Sequence, residues 1–273
     1  MKWIKEKKRQ ITQVICALLY NCNFTGFIDG KIYKGSTKLF CVPGLNCYSC
    51  PGAAASCPIG SLQSALVSAR YKFPYYILGM LLLFGVVFGR FVCGFLCPFG
   101  FLQELIYKIP GKKIPKGKWS EILSYLKYVI LFIFVIVIPL AAAVPGFCKY
   151  ICPAGTSEAG IPLTILNKEL RNLAGGLFSW KVFLLLAIVV SAVFIFRSFC
   201  RFLCPLGAFY SFFNKAAFVR IRTNEQRCSK CGKCVRMCRM DVKKVGDREC
   251  VQCGECIRLC PEDALQYRQG AKC

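Results

Sequence analysis

Phe199-Cys200-Arg201-Phe202-Leu203-Cys204-Pro205-Leu206-Gly207 stands where a long apolar run ends and a polar, cysteine-rich tail begins. Its frame recurs at Val92-Cys93-Gly94-Phe95-Leu96-Cys97-Pro98-Phe99-Gly100 and at Phe147-Cys148-Lys149-Tyr150-Ile151-Cys152-Pro153-Ala154-Gly155. Cys57-Pro58-Ile59-Gly60 keeps its second half alone. Cysteines four apart lie on one helical face, so both thiolates reach one centre. The proline opens a new helix at its first turn, where a missing N–H does no harm. The free N–H groups and the dipole of that turn favour an anionic thiolate–iron complex. The glycine after it lets backbone approach closely. One frame supplies two ligands, so a four-ligand cluster needs two frames.

An internal repeat supplies the pairing. A fixed offset carries Arg90 onto Arg197, Cys93 onto Cys200, Cys97 onto Cys204, Pro98 onto Pro205, Gly100 onto Gly207 and Lys108 onto Lys215. Two tandem halves follow, with Cys93, Cys97, Cys200 and Cys204 predicted to form one symmetric site. Arg90 and Arg197 sit one turn ahead, either as counter-charges or snorkelling to lipid headgroups. Cys148, Cys152 and Cys57 predict a second site. Its fourth ligand is Cys41, Cys47 or Cys50, and the CxxC spacing favours Cys47 and Cys50.

The frames end apolar runs. Of 273 residues, 56% are hydrophobic, and the mean hydropathy is +0.49, too apolar for an ordinary soluble domain. Four membrane helices are predicted, near residues 11–28, 73–96, 125–144 and 182–196. Residues 1–28 read as a basic flank and first helix, 29–72 as an outer cysteine-rich loop, 73–222 as the membrane domain and 223–273 as the tail. The basic loop Lys108–Lys118 marks the cytoplasmic side. That topology puts the 41–57 loop and Cys148 outside, and Cys93, Cys200 and the tail inside. The net charge of +24 fits attraction to anionic lipid and partial neutralisation by anionic clusters, each about −2. The basic residues flank apolar runs, which argues against nucleic-acid binding. The absence of histidine excludes His-ligated haem and Cys2His2 zinc. Disulfide scaffolds belong to short secreted chains, whereas these 21 cysteines cluster at ligand spacings.

The tail carries the strongest spacing. Cys228-x2-Cys231-x2-Cys234-x3-Cys238 precedes Cys250-x2-Cys253-x2-Cys256-x3-Cys260-Pro261. This is the two-cluster ferredoxin pattern, in which each fourth cysteine crosses to the other cluster. Cys228, Cys231, Cys234 and Cys260 are expected to hold one [4Fe–4S] cluster, and Cys250, Cys253, Cys256 and Cys238 the other. Paired zinc knuckles use longer gaps.

With these motifs the chain resembles the membrane polyferredoxins of the NapH and NosR kind over roughly residues 73–265. The extra 41–57 loop and the third frame depart from that pattern. The expected fold is a mainly α membrane protein, about four helices in two tandem halves, with a C-terminal α+β two-cluster ferredoxin-like domain. The resemblance implies a multi-pass protein of a prokaryotic cytoplasmic membrane with a cytoplasmic tail. It implies an electron-transfer subunit rather than a stand-alone enzyme, with two tail clusters and one or two more at the membrane cysteines. Implied partners are lipid, a soluble carrier, an oxidoreductase subunit and quinone. The alternative is a redox or metal-linked sensor or assembly factor, such as a metal-ion reductase. A transmembrane relay meets one difficulty, because a hydrocarbon core about 30 Å thick is long for a single electron step.

Overall fold

The computed structural model describes residues 2–68 and 75–269. Cys273 and the junction 69–74 lie outside the described residues.

Two helices are long and apolar enough to cross a membrane, Lys118–Ala142 and Gly176–Phe194. At 1.5 Å per residue they are about 38 and about 28 Å long. Only 28% and 17% of their most apolar windows are buried in the molecule. Their apolar faces thus point outward, as in a lipid-facing helix. Tyr75–Phe88 is equally apolar but has 14 residues, about 21 Å. The first predicted run is divided. Helix Lys2–Tyr20 stops before Asn21-Cys22-Asn23, and a short helix, Thr25–Asp29, follows. Within the longest helix the turn widens to a π segment at Leu131–Val137. Pro139 offers no N–H to the Val135 carbonyl, a local cause for that widening.

The tandem repeat is present in the backbone. Helix Phe91–Phe95 has its counterpart in Ser198–Phe202, and Pro98–Tyr107 in Pro205–Phe213. Each cysteine–proline pair breaks one helix and starts the next. Cys57, Cys97 and Cys204 all sit at extended N-cap positions with proline following. The 41–57 loop folds back on itself across a bridge from Cys41 to Ser56, where the Val42 N–H donates to the Ser56 carbonyl and the Ser56 N–H to the Phe40 carbonyl.

The tail closes with β1 (Val219–Thr223) antiparallel to β2 (Leu265–Gln269), Ile221 facing Tyr267. Between them lie the short helices Lys233–Arg236 and Glu255–Leu259. Both cysteine runs adopt one loop shape. Lys230 and Gln252 are left-handed at φ 53° and 54°, and Gly232 and Gly254 at 70° and 78°. Equal spacing has produced equal backbone. The buried core is continuous from Cys57 and Cys152 through Cys93, Cys97, Cys200 and Cys204 to Cys250 and Val251.

Candidate metal-cluster sites

The tail thiols gather around two cavities. One is lined by Cys228, Cys231, Cys234 and Cys260. The other is lined by Cys238, Cys250, Cys253 and Cys256, with Cys234 at its edge. Cys260 thus lines the first run's cavity and Cys238 the second's. Burial pushes the Cys238 thiol up to about 11, so a metal centre is what would keep it ionised.

At the repeat, Cys97 and Cys204 each lie within electrostatic reach of Cys93 and Cys200, and all four are buried. The Gly207 N–H donates to Cys204 Sγ at 3.4 Å. Gln103 Nε2 donates to Cys200 Sγ at 3.0 Å, while its Oε1 accepts the Phe199 N–H. The arginines are exchanged between halves. Arg90 packs toward Gly207 and the Cys200 carbonyl, and Arg197 toward Gly100 and the Cys93 carbonyl. Both are fully buried, so snorkelling does not describe them. Their carboxylate partners are Glu249 and Glu104.

The other set repeats this plan. A cavity of about 790 Å³ is lined by Cys41, Cys47, Cys57, Cys148 and Cys152. Gln63 Nε2 donates to Cys148 Sγ at 3.3 Å, and its Oε1 accepts the Phe147 N–H. The Gly155 N–H donates to Cys152 Sγ at 3.3 Å. A Cβ at Gly60 would face Cys148 Sγ, and one at Gly155 would face Cys47 Sγ, each at 3.8 Å. Cys47 thus stands where a first frame cysteine stands elsewhere. Cys50 is buried but does not line the cavity. Cys41 lines it, and its thiol is hydrogen-bonded to Ser61. Glu158 Oε2 accepts the Cys47 N–H at 2.8 Å, and burial pushes its carboxyl up to about 7.

Residues six after each frame cysteine carry these contacts: Gln63, Gln103, Glu158 and Tyr210. Gln63 and Gln103 hold a facing thiol, and Glu158 holds a facing backbone. Tyr210 instead donates to the Pro43 carbonyl at 2.9 Å. The repeated offset from Cys-Pro was the signal that could have found them.

The two frame-cysteine sets are neighbours. The Leu45 amide lies against Cys97 and the adjacent Asn46 amide against Cys57. A Cβ at Gly44 would come within 3.0 Å of Cys97 Cα. Tyr210 lies within electrostatic reach of both Cys57 and Cys93. The 41–57 loop, predicted to lie on the opposite side from Cys93, packs against the Cys97 segment. On the tail side, a Cβ at Gly94 would meet the Val251 carbonyl at 2.3 Å and the Cys253 nitrogen at 3.7 Å. Gly94 stands where the second half has Arg201 and the third frame Lys149. Glycine is there because the tail backbone is against it.

Among the described residues no three Cys, Asp or Glu side chains converge closely enough to hold a single metal ion. A zinc ion at about 2.3 Å from each sulfur draws thiolates to a point, whereas a cubane presents four separate irons. Thiols standing around a cavity fit the second.

The family of 4Fe–4S binding domains matches residues 72–117, 127–159 and 177–224, and each matched stretch contains one CxxxCP frame. An uncharacterized protein of Methanocaldococcus jannaschii is 34% identical over 165 residues, 58% of this chain and 62% of the relative. The electron transport protein YccM of Escherichia coli is 26% identical over 193 residues, 68% of this chain and 50% of its own length. The regulatory protein NosR of Pseudomonas aeruginosa is 27% identical over 58% of this chain and 21% of its own. The chain thus spans at most about three-fifths of these relatives. No solved structure matches it. The chain is a 4Fe–4S binding protein. It belongs with the NapH- and NosR-like 4Fe–4S proteins that its frames resemble.

Proposed function

We propose that this chain is a membrane-bound electron conduit holding four [4Fe–4S] clusters. Such clusters supply one-electron transfer when bound. Cys228, Cys231, Cys234 and Cys260 would hold the first, and Cys238, Cys250, Cys253 and Cys256 the second. Cys93, Cys97, Cys200 and Cys204 would hold the third, and Cys47, Cys57, Cys148 and Cys152 the fourth. The observation that carries the reading is contiguity. The tail backbone seats on Gly94 beside Cys93, and the adjacent Leu45 and Asn46 amides bond Cys97 and Cys57 respectively. The chain's residues supply positioning, burial and N–H donors to sulfur. Contiguity of the two sets also favours short electron steps over a single one across a hydrocarbon core about 30 Å thick.

Exposed apolar faces on the two long helices support membrane residence. Helices Tyr75–Phe88 and Lys2–Tyr20 would complete a four-helix unit. In that reading the tail is cytoplasmic. The cavity beside Cys47 and Cys148 is mostly apolar, with Ser61, Ser64, Tyr76 and Lys181 at its wall. That lining supports a quinone or another small acceptor there. The regulatory name of one relative favours a second reading, a redox sensor using the same clusters.

Anaerobic purification with iron and sulfide counting and EPR tests the proposal. About sixteen irons per chain fit four cubanes. A value near eight leaves the tail alone and overturns the membrane sites.

A further inference from the structure

The two cysteine runs of the tail share a backbone but not a setting. The second run is turned inward. Cys250, Val251 and Gln252 are buried, and the Asn214 amide bonds the Cys250 carbonyl. The first run is turned outward, and Cys231 is exposed. Between Glu225 and Asp241 every charged residue is basic: Arg227, Lys230, Lys233, Arg236 and Arg239. All five are exposed. Around the second run the charges are mixed, with Glu255, Glu262 and Asp263 beside Arg258. A Cβ at Gly232 would meet open space, whereas one at Gly254 would meet Tyr267. A like-signed patch thus surrounds the tail thiol set that contains the exposed Cys231.

We infer that the rim of Arg227, Lys230, Lys233 and Arg236 around Cys231 docks an acidic soluble electron carrier. The inference rests on the reading of the tail as a two-cluster domain. Charge complementarity selects the partner, because a cationic rim steers an anionic surface and sets its association rate. The position selects the role. A carrier seated over Cys231 lies at the end of the thiol sequence farthest from the membrane sets. Headgroup binding would need the same charges to face the bilayer. The tail meets the helical domain through the second run at Gly94 and Asn214 and through the backbone of the first run at Val235, whose carbonyl accepts from Lys116, while the four rim side chains stay exposed.

The test uses the full chain with its clusters, in nanodiscs of phosphatidylcholine, and a reduced acidic [2Fe–2S] ferredoxin as probe. Stopped-flow reduction is compared between the wild type and Arg227→Glu/Lys233→Glu. At low ionic strength the second-order rate is expected to fall at least tenfold, and the difference to close in high salt. Lys168→Glu/Arg171→Glu makes the same charge change in exposed residues elsewhere and should leave the rate within twofold. Equal rates in wild type and rim variant, with tail EPR signals intact in both, overturn the docking site alone. Absence of tail signals in the wild type overturns the underlying reading instead. Lysine labelling supplies the last arm. If Lys230 and Lys233 become protected when phosphatidylglycerol replaces phosphatidylcholine, the rim faces lipid and the inference fails.

Discussion

Gln103 shows how much a single side chain contributes at these sites. Its amide is held at both ends, by the Phe199 N–H and by Cys200 Sγ, and it is almost wholly buried. A donor to a thiolate stabilises the more negatively charged, reduced cluster. Hydrogen bonds to charged groups are worth about 1.5–3 kcal/mol, and a fraction of that difference corresponds to tens of millivolts for a one-electron couple. Gln103→Leu is expected to lower the midpoint potential of one EPR species by that order and to leave the tail signals alone. Gln63→Leu should do the same to a different species. Redox titration followed by EPR checks both, and unchanged potentials would mean that the two glutamines only pack. Cys47 and Cys50 divide in the same way. Cys47→Ser is expected to remove about four irons per chain, and Cys50→Ser none. Loss at Cys50 would return the fourth ligand to the knuckle's other end. Spacing could not choose between them, because both belong to one CxxC. The choice depends on tertiary placement, which puts Cys47 beside Gly155 in the cavity wall and leaves Cys50 outside it.

The tail is fastened to the membrane helices by acidic residues on buried cations. Glu249 pairs with Arg90 at 2.9 Å and with Lys127 of the Lys118–Ala142 helix. Burial alone would raise its pKa, but Arg90 and Lys127 hold the carboxyl below its usual range. Asp241 pairs likewise with buried Arg201. Removing one member of a buried pair leaves an uncompensated charge, at about 3–5 kcal/mol. Glu249→Gln is therefore expected to loosen residues 219–269 from the helices. Faster hydrogen exchange in β1 and at Val251, with little change in Gly176–Phe194, would show it. Exchange unchanged throughout would mean that Asp241 and Asn214 suffice. The helices around the frames were legible in sequence, since Cys-Pro both ends and starts a helix and the repeat fixes the register. The docking was not. Glu249 and Asp241 look like ordinary surface acids in a polar tail, and no local pattern shows that their buried cations lie 159 and 40 residues away at Arg90 and Arg201. The helix lengths were legible only in part. Tyr75–Phe88 reads as membrane sequence by composition, yet it stops at Gly89, whose φ of 50° ends the helix.

At the scale of the whole molecule, four thiol sets arranged in series differ from four merely present together, and kinetics can tell the two apart. The sequence distinguishes the sets by motif but not by distance, because the 41–57 loop carries no frame until Cys57. Its descent to the inner set depends on tertiary contacts of Gly44, Leu45 and Asn46 with residues beyond 90 or on a different turn. In the structure the Cys93–Cys204 set lies between the tail and the Cys47–Cys152 set. If it is the middle of a series, removing it must isolate the far set from the tail while leaving that set assembled. Cys93→Ser/Cys200→Ser removes one ligand from each half, and the far set shares no residue with it. In freeze-quench EPR, a reductant feeding the tail should reduce the tail signals of this variant at the wild-type rate. The far-set signal should then appear at least tenfold more slowly. A small mediator that reaches the far cavity directly should restore it, which shows that the cluster there is intact. Wild-type kinetics at the far set in the double variant would break the series and leave the sensor reading as the stronger one.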